Sequence, residues 1–243
     1  MNRNIVAAAV LGLGIALGGL LAGAGFARGR AADRFVTVKG VSEREAQADL
    51  AIWPLRLVAA GDDLGATHAE LQRNVATVRA FLARQRLDTT DVALQDFSVS
   101  DANANQYGGP VNPGARYVIR QTMVVRSTDP AVVLAASQRV AELVNAGVVL
   151  SSGSEYGGSG GPTFLFTQLN ALKPEMIAEA TSRAREAAEQ FARDSRAELG
   201  GIRRANQGIF EILPRDQAPG ITQEGQVVKT VRVVTTIEYG LRD

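Results

Sequence analysis

From Phe35 onward, the chain alternates between two kinds of hydrophobic spacing. Phe35, Val36 and Val38, set around Thr37 and Lys39, predict a short strand. Leu50, Ile52, Trp53, Leu55, Leu57 and Val58 predict a longer one, in which Pro54 removes a backbone donor and so marks a sheet edge or a bulge. After Asp62-Asp63, either of which is suited to capping a helix, Leu64, Leu71, Val75, Val78 and Leu82 recur at helical spacing. In DVALQDFSVSD, Val92, Leu94 and either Phe97 or Val99 alternate with polar positions, which is strand spacing. The turn-rich ANANQYGGPVNPGA then reads as a hairpin loop leading into the strand RYVIRQTMVVRS. Asp129-Pro130 opens a second helix predicted to run to about Asn145, with Gly147 just beyond it. GVVLSSGSEYGGSGGPTFLFTQL gives a short strand, a glycine-rich turn and a strand through Phe164 and Phe166. A third helix over residues 174–199 precedes QGIFEIL and QVVKTVRVVTTIEYG, two strands flanking the loop PRDQAPGITQEG.

Strand, long helix, strand, loop, strand therefore occurs twice, from about 47 to 127 and from about 162 to 240. The expected fold class is α+β, with repeated strand-helix-strand-strand units, antiparallel pairing and helices packed on one face. In the third helix, Ile177, Ala180, Ala184, Ala187 or Ala188, Phe191 and Ser195 form the apolar stripe. A stripe made mostly of alanine sets a close approach to a sheet, whereas a coiled-coil seam would call for Leu, Ile or Val over several heptads. The opposite face carries Glu179/Arg183 and Glu189/Arg193 at i,i+4 spacing, a charged surface that compensates itself.

Residues Ile5 to Ala27 carry no charge, and Ile5, Leu11, Leu17, Leu21 and Phe26 mark the length of this run. About 20 apolar residues suffice to cross a bilayer as a helix, so residues 1–32 are expected to form a transmembrane signal anchor ahead of a body at 33–243. Small residues Ala22 and Ala24 leave cleavage by a signal peptidase as the alternative. Gly14-x-x-x-Gly18 and Gly19-x-x-x-Gly23 have the spacing that lets two such helices pack, though small residues are common in membrane helices anyway. Arg28, Arg30 and Arg34 outnumber Arg3, which favours a cytoplasmic body, whereas the N-terminal, signal-like position favours export.

Composition narrows the chemistry further. The net charge is +1 across 243 residues, and the arginines are not interleaved with aromatics, which argues against nucleic acid as a partner. Cysteine is absent, so thiolate metal sites, disulfides and cysteine nucleophiles are all excluded. His68 is the only histidine, and no G-x-S-x-G elbow accompanies it. SGSEYGGSGGP lacks the Gly-Lys-Ser/Thr of a phosphate loop and is followed by a strand. Glu43/Glu45 and Asp62/Asp63 sit in positions that read as turns and caps, Arg203-Arg204 reads as surface charge, and Trp53 reads as a core or interface anchor.

The stretches VTVKGVSEREAQADLAIWPLRL, RYVIRQTMVVRSTDP, FTQLNALKPEMIAEATSRAREAAEQFARDS, LGGIRRANQGIFEI and VRVVTTIEYGLRD carry a resemblance to the SIMPL-domain (DUF541) family, in its bacterial membrane-anchored or periplasmic branch. The resemblance implies an exported body in the cell envelope, self-association into oligomers, no cofactor and no catalytic motif. The expected function is accordingly that of a non-enzymatic envelope protein, anchored in the inner membrane, that acts by self-association or by binding envelope partners. The alternative is a small-molecule or peptide binder using the two YGG loops at Tyr107-Gly108 and Tyr156-Gly157.

Overall fold

The structure, a computed structural model, describes residues 3–31, 34–90, 92–104, 115–151 and 160–242. The chain divides into two compact units. One comprises Met1–Glu43, Leu172–Glu211 and Arg232–Asp243, the other Arg44–Ala171 and Ile212–Val231.

The first unit is built on a three-stranded sheet in the order β1-β7-β6, where β1 is Phe35–Gln47, β6 is Glu198–Pro214 and β7 is Val228–Arg242. Leu241 N–H donates to Arg34 O near one end of β1, and Arg232 pairs with Glu43 nearer the other, so β1 and β7 run antiparallel. In central β7, Val233, Thr235, Ile237 and Tyr239 are buried and alternate with more exposed residues, the period expected of a strand with one covered face. The cover is helix α5, Leu169–Asp194, whose Ala184 and Ala188 join Val36, Ile237 and Tyr239 in one apolar cluster.

The buried stripe of α5 is Met176, Ala180, Ala184, Ala188 and Ala192. This settles the choice between Ala187 and Ala188 and corrects the expected stripe at its ends, since Ile177 is only half-buried, Phe191 is 50% exposed and Ser195 is exposed. A strict four-residue repeat keeps small side chains against the sheet and leaves larger ones beside it. Gly40 of β1 lets the helix come this close, because a Cβ there would lie 2.6 Å from Ala184 N and collide with the Ala180 carbonyl. The contact is then fixed by polar bonds: Ser42 Oγ donates to Glu179 (2.7 Å), and Arg183 donates to the Val41 carbonyl (2.9 Å) as well as to Glu179. The Glu179/Arg183 pair therefore ties helix to strand as well as facing solvent. Arg193 donates to Gln190 (2.8 Å), three residues before it, which corrects the expected pairing with Glu189.

Strand β1 is far longer than the alternation of Phe35, Val36 and Val38 predicts, and Glu43 and Glu45 lie within it, not in a turn. Gly40 and Ser42, both buried, occupy inward positions where a strand would ordinarily show large apolar residues, so the helix contact erased the pattern.

The second unit is a four-stranded sheet in the order β3-β4-β2-β5, with β2 Leu50–Gly61, β3 Val92–Asp101, β4 Tyr117–Ser127 and β5 Thr163–Leu165. All three pairings are antiparallel. Trp53, Leu55 and Leu57 of β2, with Ile119, Met123 and Val125 of β4, form one core with Leu71, Val75, Val78, Phe81 and Leu82 of α2, Leu64–Arg84. Leu64 is 44% exposed and stands outside that core. Asp63, not Asp62, caps α2, its carboxylate accepting from Ala66 N–H at 2.7 Å. The helix expected from Asp129 to Asn145 is two helices, α3 (Pro130–Gln138) and α4 (Ala141–Asn145), broken at Arg139-Val140; Asp129 accepts from Ala131 and Val132 N–H, and Gly147 at φ 86° ends the second.

Both predicted strand-helix-strand-strand runs are present, but they do not fill their sheets alike. In the first run β2, β4 and β3 are neighbours. In the second, β5 is only three residues long and pairs with β2, and β1 takes the place beside β7. The N-terminal run lies in α1, Arg3–Ala31. Side chains of α1 are described for residues 11–25, and among the described residues no helix is long and apolar enough to cross a membrane.

Candidate functional site

Among the described residues, four strands have only one paired edge, β1 and β6 in one sheet and β3 and β5 in the other, and of these β3 and β6 are exposed along most of their length. β3 and β6 each close one side of their sheets. After Val92, β3 is exposed almost throughout, with Leu94, Phe97 and Val99 at 40%, 53% and 46%. A bulge produces this. Gln95 sits opposite Thr122 and Ser98 opposite Arg120, so Asp96 and Phe97 together oppose one residue, and Asp96 takes φ 53°. The bulge explains why alternation from Leu94 is ambiguous between Phe97 and Val99. β6 is exposed along most of its length, with Ile202 at 51% and Ile209 at 78%. A long edge strand with exposed apolar residues is a template for pairing with another chain. The signal in sequence was the missing alternation in GGIRRANQGIFEI, where a strand covered on one face would show a regular apolar period.

The residues singled out by sequence reading scatter. Tyr107, Gly108, Tyr156 and Gly157 lie outside the described residues. β3 and β4 are antiparallel neighbours, as a hairpin around the first YGG loop requires. At its base Arg116 donates to Asp101, holding that carboxyl below its ordinary value, and lies 4.7 Å from the Tyr117 ring centre. His68 is exposed on α2, with Gln72 Nε2 at 3.3 Å from its Nε2 and its ring edge-on to Phe97 at 6.2 Å. Among the described residues, no three His, Asp or Glu side chains group to hold a metal. Asp62 accepts from Arg116 N–H, Arg203 lies 5.3 Å from the Phe35 ring, and Arg204 lines a shallow depression with Thr37 and Glu238. Trp53 is in the core, at 1% exposure.

A buried charge escaped the sequence reading. Lys229 is fully buried at the start of β7, where its ammonium donates to the carbonyls of Gln223 and Gln226. Burial pushes its pKa down, and nearby Glu224 opposes the shift. The lysine thereby closes the 3-10 turn Gln223–Gly225 onto the strand.

Sequence reading also missed a cavity in the second unit, of about 330 Å³, along the outer edge of β2. β5 covers Leu50 to Ile52, and Leu150 bridges to Leu57, so among the described residues the edge from Trp53 to Arg56 has no strand beside it. Ser151 N–H donates to Arg56 O and Val58 N–H donates to Val149 O, which places the even-numbered backbone groups on this outer edge. Pro54, which has no N–H to leave unpaired, falls in the gap, as its edge reading requires.

The architecture is thus that of a mixed α/β protein, with two antiparallel sheets and a helix packed on each. The chain matches the family model SIMPL, a protein of unknown function (DUF541), over residues 36–239, and it belongs to that family. No curated protein matches it.

Proposed function

We propose that this chain is a membrane-anchored protein of the cell envelope that works by self-association, presenting the edge of β6 to a second copy, and not by catalysing a reaction. The observation that carries the reading is β6 itself: seventeen residues long, unpaired on one side among the described residues, with Ile209 78% exposed. Pairing of that edge satisfies a row of backbone donors and acceptors and removes Ile202 and Ile209 from water together. An anchored location is supported by the uncharged run from Ile5 to Ala27 and an exported body by the family resemblance. The non-catalytic part rests on the absent cysteines and on a single histidine that lies exposed beside Gln72 and Phe97.

Light scattering on the full chain, purified in a mild detergent with the micelle mass subtracted, tests the reading. The wild type is expected as an oligomer at micromolar concentration and Ile209→Lys as a smaller species with unchanged circular dichroism. A wild type that stays monomeric at every concentration sinks the proposal. An Ile209→Lys oligomer of undiminished size moves the contact off β6.

A further inference from the structure

We propose that β6 pairs with β6 of a second copy in one register, antiparallel about a two-fold axis at Gln207, so that Arg203 of each chain faces Glu211 of the other. This rests on the reading of β6 as a self-association edge and adds how the partner is seated on it. Copies related by a two-fold axis present the same patch to each other, so every contact of residue i with residue j is repeated as j with i. In an antiparallel pair such an axis passes between two directly opposed residues. One residue of β6 therefore faces its own copy, and residues equally far before and after it face each other.

The charges of the strand select that residue. Within Glu198–Pro214 they are Glu198, Arg203, Arg204 and Glu211. Opposite charges directly across an antiparallel pair stabilise it, and like charges destabilise it. An axis at Arg203 or Arg204 sets that arginine against itself. Glu198 with Arg203, and Arg204 with Glu211, have no residue midway between them, so no such axis brings either pair together. Only Gly201 and Gln207 lie midway between opposite charges. An axis at Gly201 matches Glu198 with Arg204, but it pairs β6 only from Glu198 to Arg204 and leaves Ile209 in water. An axis at Gln207 pairs Gly200 through Pro214 and matches Arg203 with Glu211 on both sides of the centre. It also lays Ile209 beside the small Ala205 of the copy, and it puts Pro214, which has no N–H to donate, at the end of the paired stretch. Arg203, Ala205, Gln207, Ile209 and Glu211 alternate along the strand, so they share a face, and all are exposed. Arg203 lies 3.8 Å from Glu238 of its own chain, and the five donors of a guanidinium serve a second carboxylate as well.

The chain has no cysteine, so single introduced cysteines read the register directly. The experiment oxidises the full chain in mild detergent, carrying Ala205→Cys, Gln207→Cys or Ile209→Cys, each at an exposed position. Directly opposed residues have Cβ atoms about 5 Å apart, close to disulfide reach, whereas residue 205 lies about 13 Å along the pair from its own counterpart. Gln207→Cys is expected to form a covalent dimer. Ala205→Cys and Ile209→Cys are expected to form none alone and a covalent heterodimer when mixed. Arg203→Glu and Glu211→Arg are each expected to associate severalfold more weakly, and to recover when mixed, because each altered residue then faces its opposite charge. A covalent dimer from Ala205→Cys or Ile209→Cys alone, with none from Gln207→Cys, overturns the register and leaves β6 as the contact. Undiminished association of both charge variants likewise overturns the register. No covalent dimer from any of these proteins or their mixture, in samples that light scattering shows to be oligomeric, takes the contact off β6 and overturns both readings.

Discussion

At the scale of single residues, small polar contacts decide where strands stop. Asp49 lies in the two-residue break between β1 and β2, and it receives both the N–H and the hydroxyl of Thr167 at 2.9 Å, while its own N–H donates to Leu165 O. Burial pushes its carboxyl up, but the Thr167 bonds outweigh this and hold it below the ordinary 3.8. The sign follows from linkage. A carboxyl with a depressed folded pKa binds fewer protons in the fold than in the unfolded chain, so its stabilisation is complete above 3.8 and is lost as pH falls through the lower folded value. Asp49→Ala is therefore expected to lose about 0.5–1.5 kcal/mol at neutral pH, the worth of such bonds at a partly exposed site. The difference from wild type should shrink toward zero at the acid end. Urea unfolding at pH 7 and at pH 3 checks it, and a difference that grows on acidification would refute the assignment.

At the scale of elements, what the sequence disclosed depended on whether large apolar residues marked the inward face. β2, β4 and α2 follow their periodicity because Trp53, Leu55, Met123, Leu71 and Val78 point inward at regular intervals. β1 did not, since the close approach of α5 requires Gly40 and Ser42 where the pattern calls for bulk. The α5 stripe was legible only in outline, because alanines occur on both sides of the helix and periodicity alone leaves Ala187 and Ala188 equivalent. Burial separates them: Ala188 is at 0%, and Ala187 is exposed. Of the candidate sites, the β6 edge was faintly visible as a lack of alternation. The β2 cavity was invisible, because it depends on where β5 ends and Leu150 returns, a matter of long-range pairing. Ala188→Leu is expected to destabilise the fold by about 1–3 kcal/mol by forcing α5 off the sheet, and Ala187→Leu by less than about 0.5 kcal/mol. Chemical denaturation of both variants decides; equal losses would mean that the stripe is not the contact.

At the scale of the whole molecule, α1 has a surface unlike the rest. Leu11, Leu13, Ile15, Leu17, Leu20 and Leu21 are 53–72% exposed and, at the helical turn angle, cover more than half of the cylinder, the remaining sector being held by the small residues Gly12, Ala16, Gly19 and Gly23. Among the described residues, nothing beyond the helix's own neighbouring backbone lies within 4 Å of where side chains at Gly12, Gly14, Gly18, Gly19 and Gly23 would begin. A helix that is apolar all round is stable in water only when something covers it, and none of the described residues covers this stretch. A hydrocarbon surround removes the whole cylinder from water at once, whereas a partner helix covers a single stripe. The two surrounds respond differently to one charge. Leu17→Arg lies near the middle of the uncharged run and should cost about 2.5–3.5 kcal/mol of insertion free energy if the helix is surrounded by lipid, wherever on the cylinder it falls. A partner-covered stripe would be sensitive at some angles and indifferent at others. Membranes from cells making the wild type should retain the protein through an alkaline carbonate wash, and the Leu17→Arg and Ile15→Arg proteins, altered on opposite sides of the helix, should both be released in larger fractions. Release of only one of the two would point to a protein partner on that side, and release of the wild type would remove the anchor altogether.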